Sequence, residues 1–280
     1  KKSAVFFNLT PSPYNDQDMN RKKDKLGFTL IELLITIVII GILAVISIAT
    51  FEGYKEKARL AKAQSFASGL DKEMMIKMIE AQDRPFLILN LEEGSGTASQ
   101  DLSGRNFDIA DIGTATWTTN SPFEGGNALD LNESQVVQTI PAPYITGLTD
   151  YGKTVSMWIY FKDEMPTSEK ILFHAGWRVS ITAAQKIRFY SITGTAGKDM
   201  AGTTTTLSAN KWHHVVGTFI KTGATSFTTR IYIDGELAEE SASDGTRHNA
   251  ITQYALGHSS HQPDIILDRI RIWPDSYEPN

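Results

Sequence analysis

A long apolar run, residues 33–51, contains no charged side chain and constrains the fold of this chain more than any other feature. A run of roughly 20 such residues matches the hydrocarbon thickness of a bilayer. A water-soluble amphipathic helix would show a polar face repeating every 3.6 residues or so, and this run shows none. The run therefore predicts a helix embedded in a membrane.

The residues before the run indicate its orientation. Arg21, Lys22, Lys23 and Lys25 form a basic cluster, and positive flanks stay on the cytoplasmic side. The part of the chain that follows the run is therefore expected outside the membrane. Three kinds of segment fit this pattern: a secretory signal peptide, a plain signal anchor and the N-terminal segment of a prepilin.

Length and charge separate these three alternatives. The apolar region of a signal peptide has about 7–15 residues and precedes a small-residue cleavage site, whereas this run is longer and no clear Ala-x-Ala site ends it. Glu32 lies near the start of the run, where a lone carboxylate is unfavourable by several kcal/mol or so. A plain anchor gains nothing from such a residue.

The sequence Gly27-Phe28-Thr29-Leu30-Ile31-Glu32 strongly resembles the processing site of type IV prepilins. In that family a membrane peptidase cuts after the Gly and N-methylates the new terminal Phe. The resemblance implies cleavage between Gly27 and Phe28, and an assembly role for Phe28 and Glu32. In a filament, the Glu32 carboxylate would pair with the α-amino group of a neighbouring subunit's Phe28, which offsets its desolvation. The implied partners are prepilin peptidase, other pilin subunits and the membrane.

Residues 1–27 are expected to form the leader. The chain begins with Lys1, and Met19, followed by basic residues, would make a natural start.

Beyond the run, the helix is expected to continue to about residue 82. Residues 52–66 are rich in Ala, Lys, Glu and Leu, which favour helix. Apolar and small side chains recur on one face, at Tyr54, Ala58, Ala61 and Ser65 and then at Leu70, Met74, Met75, Met78 and Ile79. The resemblance to pilins implies that this amphipathic half, within the helix 28–82, packs under a head domain. Pro85 ends the helix, since proline disfavours helix at the residue before it.

After Pro85 the pattern changes to short apolar alternations separated by Gly, Asn, Asp and Ser. Many short strands without intervening helices indicate an all-β sandwich. Strands are expected at 86–91, 155–161, 170–175, 178–182, 186–192, 213–220, 227–233 and 265–273. Asp234-Gly235, between two apolar stretches, predicts a hairpin turn.

Several blocks of this region resemble, in order, a laminin G-like, concanavalin A-like jelly roll. They are residues 126–131, 155–159, 212–216, 231–235 and 267–273. The resemblance implies that residues 84–280 form a jelly-roll domain. The fold class is then α+β by segregation, with a long N-terminal pilin helix followed by an all-β sandwich. Members of that family mostly bind glycans, proteins or calcium, and some related sandwiches are glycosidases.

Catalytic and nucleic-acid-binding patterns were not found in the sequence. A glycosidase needs two carboxylates, and the Glu-x-Asp-x-x-Glu pattern that such a sandwich would use does not occur. The absence of cysteine excludes disulfides and thiolate catalysis, and the net charge of -5 does not suggest nucleic acid. The chain is predicted to be no enzyme and to bind no nucleic acid.

Calcium is possible as a cofactor, because the chain offers side-chain oxygens near loops or strand ends. Calcium takes about six to eight oxygen ligands. The candidate oxygens belong to Asp130, Asn132, Asp264 and Asp268, whose spacing is not diagnostic, so no metal site is assigned. His258 and His261, spaced His-x-x-His, are equally weak as a metal pair.

Aromatic side chains suggest how a glycan could bind, since a flat apolar ring covers the C–H groups of a sugar. The candidates near loops are Trp117, Trp177, Tyr144, Tyr190 and Tyr254. Trp158, Trp212 and Trp273 lie in strand blocks and are expected in the core.

These features together predict a type IV pilin-like subunit, a minor pilin whose jelly-roll head is displayed at the cell surface and binds glycan or protein in adhesion. The alternative is a structural pseudopilin of a type II-like secretion system, in a pseudopilus. A surface-tethered glycosidase is the less favoured third reading. The ligand is not indicated by the sequence.

Overall fold

The structure is a computed structural model that describes residues 28–133, 135–139, 153–175, 177–191, 199–223, 226–244, 253–258 and 264–278. The chain divides after Glu52 into two units, Lys1–Glu52 and Gly53–Asn280. The second unit contains the C-terminal half of the long helix, residues 53–80, which we call the head helix.

Helix α1, Leu30–Glu80, is the one long helix of the described chain and ends close to the predicted residue. Its end is closed by two backbone hydrogen bonds, from Asp83 N to Met78 O at 2.9 Å and from Gln82 N to Ile79 O at 3.1 Å. Gln82 has a φ of 53°, the left-handed conformation that this type of C-cap requires. The chain then turns into the first strand.

Fourteen strands lie in the described part of the chain, all in the second unit. They are β1 Leu87–Leu89, β2 Thr116–Thr118, β3 Ala128–Asp130, β4 Val136–Thr139, β5 Lys153–Phe161, β6 Lys170–His174, β7 Trp177–Ile181, β8 Lys186–Ser191, β9 Asp199–Thr206, β10 Trp212–Lys221, β11 Ser226–Ile233, β12 Glu236–Asp244, β13 Gln253–Leu256 and β14 Ile265–Trp273. The predicted α+β class, a helix followed by a β-sandwich, is confirmed.

The strands form two antiparallel sheets. The eight-stranded sheet has the order β12-β11-β10-β5-β14-β3-β2, with β1 also paired to β14, and the six-stranded sheet has the order β4-β13-β6-β7-β8-β9. The hairpin turn predicted at Asp234-Gly235 joins β11 to β12, and both residues have positive φ, 53° and 82°. This is the geometry of a type I′ turn, whose twist matches that of the flanking strands.

Alternation along the strands divides the buried side chains of the eight-stranded sheet between two surfaces. In β5, Val155, Met157 and Ile159 belong to the large apolar core, which also takes side chains of the six-stranded sheet. Trp158 points the other way and belongs to a cluster with Ala63 of the head helix. The eight-stranded sheet is therefore buried on both sides, and we call the second side its helix-facing surface.

The head helix packs on this surface through Leu70, Met74 and Met78, which cluster with Trp273 and Tyr232. The prediction that this half of the helix packs under the head is correct for these three side chains. Most of the predicted face points elsewhere, since its other members are exposed: Tyr54, Ala58, Ala61, Ser65, Met75 and Ile79. The larger side chains of a second stripe make the contact.

The three tryptophans assigned to the core are buried, as predicted. Trp158 and Trp273 are each 1% exposed and Trp212 is 6% exposed. They do not lie between the sheets, because all three belong to the clusters under the head helix. The aromatic side chains thus fix the helix to the sheet.

Candidate functional site

The N-terminus of α1 is organised by a capping box between Thr29 and Glu32. Glu32 Oε2 accepts hydrogen bonds from Thr29 N and Thr29 Oγ1, both at 2.8 Å. Glu32 N donates to Thr29 Oγ1 at 3.3 Å. These reciprocal bonds satisfy amides that the first helical turn leaves free. Sequence reasoning missed this role, although the Thr-x-x-Glu spacing before an apolar run is its signal.

The predicted processing and assembly residues lie at this same end of the helix. Phe28, next to Thr29, is 79% exposed, and Gly27 lies outside the described residues. Cleavage after Gly27, and pairing of Glu32 with the Phe28 amine of a neighbour, stay predictions. The helix that follows is long and apolar enough to cross a membrane, and its side chains from residue 30 to residue 46 are exposed.

In the second unit, a cavity of about 110 Å³ lies between the head helix and the helix-facing surface. Its polar walls come from Gln64, Ser68 and Asp71 of the helix and from Ser156, His214, Arg269 and Arg271 of the sheet. A polar cavity of this size has room for several water molecules.

A bulge in β14 brings both arginines to the cavity. The register of β14 against β5 shifts between Asp268 and Arg271, and Arg269 takes a φ of 44°, which is uncommon for a residue other than glycine. The Arg269 guanidinium carbon lies 3.3 Å from the centre of the Phe123 ring. Bulges commonly re-aim side chains next to binding sites. This one places Asp268 and the following residue, Arg269, on the helix side of the strand, while Ile270 returns to the core between the sheets.

Ser156 and His214 have the spacing of a nucleophile and its base, with 2.7 Å between Ser156 Oγ and His214 Nε2. A catalytic pair also needs a group that orients the histidine and a pKa near the working pH. Within the described chain His214 Nδ1 has no hydrogen-bond partner, and burial lowers the pKa of His214 to about 3. The geometry therefore favours a structural hydrogen bond.

Asp268 lies on the same surface, fully buried. Its Oδ2 accepts a hydrogen bond from Ser121 Oγ at 2.9 Å, while Oδ1 has no partner in the part of the chain that the structure describes. Burial, reinforced by the charge of Glu92, raises the pKa of Asp268 to about 7, although Ser121 and Arg269 act in the opposite direction. This carboxyl group is easier to protonate than an exposed one.

Arg59 joins the head helix to the β11–β12 turn. It donates to Trp212 O at 2.6 Å and forms an ion pair with Asp234. Asp234 also bonds His213 Nδ1 at 2.9 Å. Gly235 of the same turn lies so close to the helix that an added Cβ would come within 2.9 Å of Phe66 Cβ. His213 is thus part of the contact between the head helix and this turn.

Three of the four candidate calcium donors converge on an ammonium group. Lys162 Nζ lies 2.8 Å from Asp130 Oδ1 and 2.5 Å from Asp264 Oδ1, and 3.4 Å from Asn132 Oδ1. These oxygens already have a cationic partner. Asp268 lies apart from them, under the head helix. Among the described residues, no group of three or more His, Cys, Asp or Glu side chains could hold a metal ion.

The aromatic residues suggested for glycan binding have different environments. Tyr254 is fully buried and donates to Phe107 O at 2.6 Å, so its assignment to a binding surface is wrong. Trp117 is half-buried, and its indole N–H donates to Gly96 O at 2.8 Å. Tyr144 and the side chains of Trp177 and Tyr190 lie outside the described part, as does His261 of the histidine pair.

Comparison with protein families gives two matches. Residues 22–48 match the prokaryotic N-terminal methylation motif. Residues 131–280, more than half of the chain, match the concanavalin A-like lectin/glucanases superfamily.

Similar curated proteins are pilins. The chain is 48% identical over 52 residues to a fimbrial protein of Moraxella nonliquefaciens, covering 19% of this chain and 32% of that protein. It is 34% identical over 107 residues to the type IV major fimbrial protein of Dichelobacter nodosus, covering 38% of this chain and 57% of that protein. It is 33% identical over 109 residues to the major component of the type IV narrow pilus of Thermus thermophilus, covering 38% of this chain and 93% of that protein. The chain thus spans about a third and just over half of the first two relatives.

Similar solved structures confirm the sandwich fold, and at these identities they show the fold alone. The botulinum neurotoxin serotype D binding domain has a TM-score of 0.56 at 17% identity, covering 70% of this chain and 49% of that chain. Botulinum neurotoxin type C, whose cell entry depends on interaction with two ganglioside molecules, has a TM-score of 0.52 at 16% identity, covering 72% and 50%. A Trypanosoma rangeli sialidase has a TM-score of 0.50 at 14% identity, covering 69% and 30%.

An N-terminal methylation segment, a long apolar helix, and a β-sandwich packed on the C-terminal half of that helix are therefore parts of one chain. This chain belongs to the type IV pilins and, over its C-terminal half, to the concanavalin A-like lectin/glucanases superfamily.

Proposed function

We propose that the chain is a minor type IV pilin that displays its lectin-like head outside the membrane and uses it in adhesion to a glycan or a surface protein. The observation that carries the proposal is the division of α1. Its first half exposes apolar side chains from residue 30 to residue 46, and its second half is part of the head. A subunit built in this way can enter a filament core without unfolding its binding domain.

The proposal includes processing and assembly at the N-terminus. Prepilin peptidase would cut between Gly27 and Phe28, and the leader would be residues 1–27. Other pilin subunits would be the partners of the apolar half of α1. In this proposal residues 28–82 form the helical domain and residues 84–280 form the jelly-roll domain. Curated pilins and the methylation motif support this part of the proposal.

Ligand binding would use a part of the head that the helix leaves open. The helix-facing surface of the eight-stranded sheet is covered by the head helix through Leu70, Met74 and Met78. A glycan or protein would therefore meet the loops at the rim of the sandwich or the outer side of the six-stranded sheet. Ganglioside interaction of the type C neurotoxin makes a carbohydrate ligand the first class to test.

Two other functions remain as alternatives. A structural pseudopilin of a type II-like secretion system would share the N-terminal segment, and its head would make assembly contacts only. A surface-tethered glycosidase is less favoured, because glycoside hydrolysis uses two carboxylates and the sequence contains no paired-carboxylate pattern. Our proposal is that the head binds without catalysis.

The test of binding is a glycan array probed with the unit Gly53–Asn280, with calcium and with a chelator. The fragment must include the head helix, because a fragment starting at residue 84 would expose Trp158 and Trp273. Saturable binding to a defined sugar supports the adhesin function, and its loss in chelator would assign calcium a role. No binding in either condition, together with assembly-protein partners in pull-downs from the envelope, would favour the pseudopilin.

A further inference from the structure

His214, Trp158 and Asp268 form a row across three neighbouring strands of the helix-facing surface. Strand register pairs His214 of β10 with Trp158 of β5, and Trp158 with Asp268 of β14. Two strand spacings, about 10 Å, therefore separate the backbones of His214 and Asp268. The Trp158 ring packs 4.8 Å from the His214 ring, centre to centre. The two ionisable groups thus lie under the same helix without forming an ion pair with each other.

Both groups are buried without a charged hydrogen-bond partner. His214 is 1% exposed and Asp268 is 0% exposed. The hydrogen bonds of their side chains go to the hydroxyl groups of Ser156 and Ser121. His214 Nδ1 and Asp268 Oδ1 have no partner within the described chain. Burying an ion in such surroundings carries a desolvation penalty that no opposite charge offsets, so the neutral forms are favoured.

The other charged groups around the pair are matched with one another. They come from every element packed there: Asp71 of the head helix, Glu92 after β1, Asp234 of the β11–β12 turn, and Arg269 and Arg271 of β14. Asp71 lies 3.6 Å from Arg271 and Glu92 lies 3.3 Å from Arg269, while Arg59 binds Asp234. His214 and Asp268 thus differ from these groups in having no oppositely charged partner among the described residues of the contact. Burial also raises the pKa of Asp71, and the charges of Arg271 and Arg269 act in the opposite direction.

We propose that the head helix closes over a neutral acid–base pair, Asp268 protonated and His214 unprotonated, and that this pair makes helix docking insensitive to pH in mildly acidic solution. One group takes up a proton on docking and the other releases one. Their effects on the docking equilibrium oppose each other, so the contact between helix and head keeps its strength while the surrounding pH changes.

The pKa shifts of the two groups have the signs that this compensation needs. Burial raises the pKa of Asp268 from 3.8 to about 7. Between these values the carboxyl group is ionised in the undocked state and protonated in the docked state, so docking weakens as the pH rises. Burial lowers the pKa of His214 from 6.5 to about 3, so protonation of the undocked state weakens docking as the pH falls between these values. The two windows overlap from pH 3.8 to pH 6.5. There each group alone changes the equilibrium by about tenfold per pH unit, in opposite directions.

The test is hydrogen–deuterium exchange of the full chain in detergent micelles at pH 4.5 to 6.5, read on peptides from residues 60–78 and corrected for the intrinsic exchange rate. In the natural protein the opening equilibrium should change by less than about threefold. Asp268→Asn leaves only the histidine, so opening should increase about 50-fold as the pH falls. His214→Gln, which can still bond Ser156, leaves only the carboxyl group, so opening should increase about 50-fold as the pH rises.

The double variant decides between compensation and unrelated damage. Asp268→Asn combined with His214→Gln should again give a pH-independent opening, at less than about threefold across the range. Asp163→Asn, at an exposed carboxylate, is the matched control and should follow the natural protein. Single variants that keep the flat profile of the natural protein would overturn the proposal.

A direct titration keeps the proposal testable if a variant does not fold. Carbon-13 NMR of the natural full chain should show the Asp268 carboxyl titrating near pH 7 and the His214 ring unprotonated at pH 5. An Asp268 midpoint below pH 5, or a protonated His214 ring at pH 5, would contradict the neutral pair.

Discussion

Met74 and Met75 are adjacent on the head helix, and they offer a matched test of how the helix is held to the sheet. Met74 is 0% exposed and packs in the cluster with Trp273 and Tyr232, whereas Met75 is 40% exposed. Substituting either by alanine removes the same side-chain atoms and changes helix propensity equally. The difference between the two variants therefore measures the contact itself.

Met74→Ala should lower the free energy of unfolding of the unit Gly53–Asn280 by about 3 kcal/mol, because a buried methionine is replaced and a cavity is left. Met75→Ala should change it by about 0.5 kcal/mol or less. For a domain of this size, the loss at Met74 corresponds to a fall in Tm of about 6–12 °C.

Urea unfolding followed by tryptophan fluorescence measures both variants, since Trp273 lies in the affected cluster. If the slope of the free energy of unfolding against urea concentration is the same in all proteins, a shift of the midpoint reports a change in stability alone. Equal losses in the two variants, within about 0.5 kcal/mol, would refute the assignment of Met74 to the helix–sheet contact.

Three further changes test separate features. Gln82→Gly should raise the free energy of unfolding by about 0.5–1 kcal/mol, because glycine adopts the left-handed C-cap of α1 without strain; an unchanged or lower Tm would contradict this cap. Gly235→Ala should lower that free energy by about 1–3 kcal/mol, because the added Cβ meets Phe66 and the φ of 82° is strained; Glu236→Ala beside it, losing only an exposed ion pair, should change it by about 0.5 kcal/mol. Lys162→Met should lower it by about 1 kcal/mol by leaving Asp130 and Asp264 without their cation, with a smaller loss in high salt; a stabilised variant in calorimetry would show that the cluster is not held by charge.

The helix and several strands could be predicted from the sequence because their signals are local. An uncharged apolar run, alternation in β5 and β14, and an Asp-Gly pair each act over a few residues. Residues 265–273 were predicted as a strand with the bounds that β14 has. Strands β2, β3 and β4 were missed, because three or four residues are too few to establish an alternation.

The face of the helix that packs on the head could be predicted only in part. Small residues such as Ala58 and Ala61 form one regular stripe, and Leu70, Met74 and Met78 form another. Periodicity shows both stripes, but it does not show which one a sheet will cover. That choice depends on the aromatic residues of the helix-facing surface, which come from strands far away in the sequence.

The cavity could not be predicted for the same reason. Ser156, His214, Arg271 and Asp71 come from three strands and the helix, and only the strand register places them under one cover. A bulge after Asp268, which alternation along the strand does not reveal, turns Arg269 toward the helix.

The Glu32 carboxylate has a partner in its own chain, which sharpens the experiment on assembly. Glu32→Ala removes the carboxylate from the capping box and with it any bond to a neighbouring subunit. Thr29→Ala removes the hydroxyl of the capping box and keeps the carboxylate, which still accepts from the backbone N of residue 29. If the assembly role is correct, Glu32→Ala should be cleaved but fail to enter filaments, while Thr29→Ala should enter them. Equal incorporation of the two variants would remove the assembly role from Glu32.

The central claim, that the chain is a processed pilin subunit, is tested most directly by the mass and N-terminal sequence of the protein recovered from the membrane and from surface filaments. The account predicts a mature chain that begins at N-methylated Phe28 in both fractions. A mature chain that still carries Lys25 would contradict it.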